Sequence, residues 1–265
     1  MIDNNTDKIS ETIDSVVQAL DGEDSALYPY LPYLLQDLWE IGSSAVAVQD
    51  LIQKQCLDRC TDFRVLDLGC GKGAISIPLA KKFEFQVAGI DAMPAFIQEA
   101  REWADKLQVS HLCRFEVGDI RNDLEAFKEY HLAILGSIGP VLGSVEQTLN
   151  RVKPCLTLDG YVILDDGYIP EGSFLHADHY LTDMEIKAQI QNAGFNILEE
   201  QIFDKAYIRS SDREIYEAIE NRAKELMEIH PEKRELFQDY LKTQARENDI
   251  LENEIVCVTW LLKRI

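Results

Sequence analysis

Three aspartates and a run of glycines hold the clearest chemistry in this chain. Val65-Leu66-Asp67-Leu68-Gly69-Cys70-Gly71-Lys72-Gly73-Ala74 carries an apolar stretch into a glycine turn, and Asp91 and Asp119 close the next two apolar runs. Glycines so spaced let backbone N–H groups approach a ligand closely and leave the next helix N-terminus open to a negative group. Gly69, Gly71 and Ala74 satisfy the pattern G-x-G-x-x-G/A, with Asp91 about twenty residues on, so the glycines alone admit a dinucleotide and an NAD-dependent oxidoreductase.

Asp67 separates the candidates. It lies two residues before the first glycine, where a dinucleotide would set its pyrophosphate, and a carboxylate there repels that group by about a few kcal/mol in a partly buried site. A nucleoside with a cationic amino-acid end is attracted instead. S-adenosylmethionine, with its ammonium and sulfonium, has that chemistry.

Asp67-Leu68-Gly69-Cys70-Gly71-Lys72-Gly73 resembles the first motif, D/E-x-G-x-G-x-G, of the class I S-adenosylmethionine-dependent methyltransferases. The resemblance covers about residues 60 to 204 plus the last strand. It implies that Asp67 and the loop Gly69, Cys70, Gly71 and Gly73 hold the methionine end of the cofactor and that Asp91 holds the ribose hydroxyls. Ala92 and Met93 would lie by the adenine, Asp119 would read its amino group with Ile120 beside the ring, and Gly136 would end the fourth strand near the cofactor. Ile134-Leu135-Gly136-Ser137-Ile138-Gly139-Pro140 lacks the D/N-P-P-Y/F signature of members that methylate bases and amides. That leaves O-, N-, S- or C-methylation of a small molecule. A catalytically silent S-adenosylmethionine-binding regulatory protein is the reading from another class.

Positioning these residues requires an α/β fold. Arg64–Leu68, Gln86–Asp91, Arg114–Val117, His131–Leu135, Gly160–Leu164 and Asn196–Phe203 read as strands. The pattern predicts helices over 74–82, 94–106, 145–152 and 183–193. Such alternation implies a mostly parallel sheet with right-handed crossovers and helices on both faces. Glu254–Leu262 reads as a last strand, and the resemblance implies a seven-stranded, Rossmann-like sheet with this strand antiparallel and inserted beside the sixth. The first sixty residues carry helical stripes (Ile9, Ile13, Val16, Leu20; Leu34, Leu35, Leu38, Ile41; Val48, Leu51, Ile52) and predict an N-terminal helical lid, 1–60, before a cofactor-binding domain, 61–265. A charged insertion over about 212–248, broken at His230-Pro231, predicts a helical pair that could line the pocket or a homodimer interface.

Other groups could do chemistry near the acceptor. Asp166, Tyr168, His176 and His179 could take a proton from a protonated nucleophile, although Asp165-Asp166 also reads as a pair of turn acids and His176-Ala177-Asp178-His179 as a polar loop. Tyr28, Tyr30, Tyr33 and Trp39 could cover the cofactor and shape the acceptor pocket, or simply pack the helices. No histidine and cysteine spacing completes a metal site, and the six cysteines read as reduced thiols.

The 265 residues are 46% hydrophobic and 28% charged, as in a globular protein, with 26 Lys and Arg against 47 Asp and Glu and a net charge of −21. So acidic a chain disfavours nucleic-acid binding. No run reaches the roughly 20 apolar residues of a membrane span, and the first residues do not read as a signal peptide. The expectation is a cytoplasmic enzyme acting on a small molecule, with no nucleic-acid or membrane partner.

Overall fold

The computed structural model describes residues 4–59, 61–171, 173 and 180–265. From the N-terminus, α1 (Asn4–Ala19), α2 (Leu31–Leu34) and α3 (Ala45–Lys54) precede β1 (Arg64–Leu68) and α4 (Ser76–Phe83). β2 (Gln86–Asp91), α5 (Pro94–Lys106), β3 (Cys113–Val117), α6 (Ile120–Asp123) and β4 (Tyr130–Gly136) follow. The chain continues through α7 (Val145–Val152), β5 (Leu156–Tyr168), α8 (Asp183–Asn192) and β6 (Phe195–Ile202), then α9 (Lys205–Ile229), α10 (Arg234–Asn253) and β7 (Val256–Arg264).

Two compact units result: Met1–Trp39 with Asp204–Ile255, and Glu40–Phe203 with Val256–Ile265. The division falls at 39/40 rather than at 60. Helix α3 belongs with the sheet because Val48, Leu51 and Ile52 are wholly buried and Gln55, just after it, bonds Glu199 of β6.

In the sheet unit the strand order is β3-β2-β1-β4-β5-β7-β6. The first five strands pair in parallel, and β7 runs antiparallel to both β5 and β6. Order reverses between β1 and β4, so the carboxyl ends of these strands open the crevice where ligands of such sheets bind. Side chains alternate between faces. Val162, Leu164, Val258 and Trp260 share one core with Leu149 of α7 and Ile186 and Ile190 of α8. Asp67 emerges on the opposite face, where Ser76 of α4 meets it.

Local chemistry explains the boundaries. Pro94 at the first turn of α5 tolerates its missing N–H there. Capping boxes at Ser144/Gln147 and Thr182/Glu185 start α7 and α8. Strand β5 runs on to Tyr168, past the expected end at Leu164, because antiparallel pairing with β7 continues from Asp165↔Thr259 to Tyr168↔Val256.

The helical unit contains α1, α2, α9 and α10. The stripe at Leu34, Leu35, Leu38 and Ile41 forms no second long helix: α2 stops at Leu34, its burial already met by Leu31, Leu34 and Leu35. Tyr30 lies edge-on to Phe237 at 5.1 Å and to His230 at 5.4 Å. Tyr33 donates to Glu225 Oε2 at 2.6 Å, and Arg222 bridges Asp37 and Glu225. These two tyrosines thus pack the N-terminal segment onto the C-terminal helices. Tyr28 and Trp39 are half-buried in the same unit.

No described helix is long and apolar enough to cross a membrane.

Candidate active site at the carboxyl ends of β1, β2 and β4

Gly69, Gly71 and Gly73 all take left-handed backbone, with φ of +72°, +50° and +75°, where a side chain would be strained. They differ in what surrounds them. A Cβ on Gly69 would stand 2.7 Å from Ile138 Cγ2, and one on Gly73 would stand 2.8 Å from Ile77 Cδ1. A Cβ on Gly71 would meet nothing within 4 Å. Gly69 and Gly73 therefore serve close packing, whereas Gly71 faces open space and leaves room against the loop. Helix α4 begins at Ser76, two residues later than its predicted start at Ala74.

Beneath this loop sits Asp67, 3% exposed and bonded by the Ser76 hydroxyl. Burial pushes its carboxyl up to about 7; the Ser76 hydrogen bond opposes this and the nearby Asp91 charge adds to it. A buried carboxylate beside a second acid is costly unless a cation compensates it. A cationic ligand end would supply that compensation, so the donor set fits the ammonium of an amino-acid-bearing nucleoside.

Asp91 ends β2 half-buried, its Oδ2 accepting from Gly71 N–H at 2.9 Å and its Oδ1 from Met93 N–H at 2.8 Å. Burial raises its pKa, and these two amides pull it back. Asp91 thus ties the glycine loop to the start of α5. Lys72 does the same from the other side. Its side chain is wholly buried, with Nζ 2.8 Å from Glu99 Oε2 on α5 and 5.5 Å from the Phe96 ring. Sequence reasoning missed this clamp because its partner lies on another helix.

Asp119 caps α6 and accepts from Arg121 N–H at 2.8 Å. The Arg121 guanidinium also grips both carboxylate oxygens, at 2.7 and 3.1 Å, so an adenine amino group would compete with Arg121 for this acid. Ile120 and Met93 are buried, 7% and 2% exposed; Ile120 packs in the sheet core, and Ala92 beside Met93 is half-buried. Cys70 is buried against Gly89, where an added Cβ would stand 2.8 Å from its Sγ.

The loop after β4 holds a second polar arrangement that the sequence did not reveal. Ser137 is exposed, takes φ +51° and donates to Asp165 Oδ2 at 3.0 Å. Its Oγ lies 3.0 Å from Ser43 Oγ, and Thr259 donates to Asp165 Oδ1 at 2.7 Å. Gly136 makes room for this, since a Cβ there would meet Ser43 Oγ at 3.0 Å. Burial raises the Asp165 carboxyl, and its hydroxyl donors Ser43, Thr259 and Ser137 lower it. Register places Asp67 beside Ile134 and Ile134 beside Ile163, so Asp165, two residues beyond Ile163, shares the face of Asp67.

Asp166 and Tyr168 fall on the other face by the same alternation. Asp166 bonds its neighbour Gly167 N–H, and burial pushes its carboxyl up to about 6. Tyr168 stacks on Trp260 at 6.2 Å. His176 and His179 lie outside the described residues. Among the described residues no group of three or more His, Cys, Asp or Glu is placed to hold a metal.

Comparisons with known proteins agree with this geometry. A family model described as a methyltransferase domain matches residues 61–228. The ubiquinone biosynthesis O-methyltransferase of Rickettsia felis is 26% identical over 153 residues, covering 51% of this chain and 61% of that protein. A 23S rRNA (uracil(1939)-C(5))-methyltransferase of a Shewanella species is 33% identical over 124 residues, 40% of this chain and 26% of its own. The chain therefore spans about three fifths of the first relative and a quarter of the second. Among solved structures, a SAM-dependent methyltransferase of Geobacter sulfurreducens in complex with S-adenosyl-L-homocysteine has a TM-score of 0.71 at 17% identity, covering 88% of this chain and 97% of that one. The family match decides against the oxidoreductase reading of the glycines. With the full first motif, the reversal of strand order beside it and the antiparallel last strand, the chain belongs to the class I S-adenosylmethionine-dependent methyltransferases.

Proposed function

We propose that this protein transfers a methyl group from S-adenosylmethionine to a small-molecule acceptor. The observation that carries the reading is Asp67, a buried carboxyl with no cation bonded to it among the described residues, set under the open glycine Gly71. Asp67 and the Gly69–Gly73 loop would hold the methionine end, and Asp91, at the end of β2, would hold the ribose. When bound, the donor supplies an already activated methyl group. The protein supplies alignment and a site shielded from water.

Two features favour a small acceptor. The net charge of −21 opposes a polyphosphate partner, and the loop after β4 carries Gly136-Ser137-Ile138-Gly139 where base-methylating members hold a planar nitrogen. The rRNA-acting relative shares only a quarter of its own length with this chain.

Calorimetric titration with S-adenosylhomocysteine and with NADH, followed by transfer of labelled methyl into a metabolite extract, tests the reading. Binding of the first ligand and label in the small-molecule fraction are expected. NADH binding without S-adenosylhomocysteine binding would overturn it, and a cofactor-bound protein that labels nothing would favour a silent binder.

A further inference from the structure

The hydroxyl cluster around Asp165 lies beside the glycine loop, apart from the residues assigned above to the cofactor. Ser137 stands directly before Ile138, whose Cγ2 blocks any side chain on Gly69, so the Ser137 backbone is fixed within one residue of the glycine loop. It also takes left-handed φ without being glycine, a conformation that costs roughly 1–2 kcal/mol and collects at functional sites. Gly42, at φ +98°, keeps clear of Ser137, since a Cβ there would stand 3.1 Å from both Ser137 Cβ and Oγ. Three strands converge on the cluster: Gly136 pairs with Asp165, and Asp165 pairs with Thr259. Thr259 is 1% exposed and Ser43 is 7% exposed, so the carboxylate is anchored from the protein side while Ser137 remains exposed.

We propose that Ser137 is a catalytic residue that receives the proton of the methyl acceptor's nucleophile, with Asp165 as the positioning group behind it, and that the acceptor therefore presents a protonated oxygen or nitrogen rather than a thiolate or a carbanion. This rests on the methyltransferase reading above. As the acceptor atom forms its bond to the methyl carbon, the carbon–sulfur bond breaks and its electron pair stays on sulfur. The acceptor's proton passes to Ser137 Oγ, and the Ser137 hydroxyl proton passes to Asp165 Oδ2. Charge balances, because the donor's positive charge and the Asp165 negative charge are lost together. Burial, which raises the Asp165 carboxyl, brings it nearer the pH at which a general base is most effective. Ser43 and Thr259 hold the carboxylate oriented toward Ser137 throughout.

The test uses the full chain, methyl-labelled S-adenosylmethionine and a panel of soluble phenols, alcohols, primary amines and thiols. Ser137→Gly removes the hydroxyl while relieving the left-handed backbone, so the fold is retained; Asp165→Asn keeps the shape and removes the base, and Asp165→Glu restores it. Label should reach hydroxyl or amine members. Both Ser137→Gly and Asp165→Asn should lower kcat by about 100-fold, with affinity for S-adenosylhomocysteine within about twofold of the parent and part of the rate regained in Asp165→Glu. Turnover within about threefold of the parent in both variants overturns the proposal, as does transfer by the parent protein to thiols alone or to no panel member. Failure of the parent protein to bind S-adenosylhomocysteine is distinguishable from these results; it overturns the methyltransferase reading and this proposal with it.

Discussion

Two loops at the carboxyl ends of adjacent strands do their work in opposite ways. The loop after β1 is built from backbone: three glycines at positive φ, one of them facing empty space, with a single buried acid beneath. The loop after β4 is built from side chains: a serine held at positive φ by hydroxyls and a carboxylate drawn from three other parts of the chain. Backbone recognition leaves a strong mark in sequence because only glycine suits it. Side-chain recognition by serine, threonine and aspartate leaves almost none, since those residues are common everywhere.

The contrast within the first loop can be broken most forcefully at Gly69 and Gly71. Gly69→Ala combines left-handed strain with a clash against Ile138 and should cost about 2–4 kcal/mol of stability. Gly71→Ala should cost about 1 kcal/mol and yet weaken S-adenosylhomocysteine binding severely. Thermal melts paired with calorimetry distinguish them. Equal losses of stability would end the division between packing glycine and ligand-facing glycine.

Asp67→Asn keeps a partner for Ser76 but removes the charge. Affinity for S-adenosylhomocysteine should fall by about 10- to 100-fold, as for loss of a charged hydrogen bond, with no fall in melting temperature. Undiminished affinity would show that the ligand is held without this carboxylate.

The same carboxyl predicts a pH dependence. Below about 7 it is neutral in the free protein and offers the ligand's ammonium no charge, so affinity should tighten about tenfold from pH 6 to pH 8 and stay flat in Asp67→Asn. Stability follows the opposite course. The ordinary value is 3.8 and the folded value about 7, so the folded state holds the extra proton between them. The contribution of this group is fully present below 3.8 and is lost as pH rises through about 7. Titration calorimetry and melts across that range check both signs.

The smallest effect concerns the clamp behind the glycine loop. Glu99→Gln leaves wholly buried Lys72 a neutral partner, and because Glu99 is 31% exposed the cost should be about 1 kcal/mol, or a melting shift of about 2–4 °C. Lys72→Met with Glu99→Gln should recover part of it. A shift in ligand affinity larger than the shift in stability would mean that the clamp sets the loop's geometry as well as anchoring it.

The sequence made legible whatever local rules govern. Helix α5 could be read from Pro94 to Lys106 because proline opens it and its apolar period is regular. The first motif announced itself because three closely spaced glycines have few other uses. Asp165 and Asp166 were harder. Two adjacent acids read as a turn, and only donors 28 and 94 residues away in sequence make Asp165 acceptable inside a strand. Long-range satisfaction of a buried polar group has no local signature. The 1–60 boundary moved for a related reason: α3 and the segment before it carry similar apolar stripes, and only tertiary burial decides which surface each one covers. Asp119 illustrates the limit of a family motif, since its position was legible while its partner, Arg121 two residues on, changes what the carboxylate has left to offer.

Strand β7 lies between β5 and β6, yet the chain lays down both long helices, Lys205–Ile229 and Arg234–Asn253, before reaching it. During synthesis one flank of β5 must therefore stay bare until the final strand slots in, a late and non-local closure of the kind that slows folding. Thr259 rides on that strand, so a nascent chain stopped short of it would already own its glycine loop while the carboxylate of β5 still waited for its last hydroxyl.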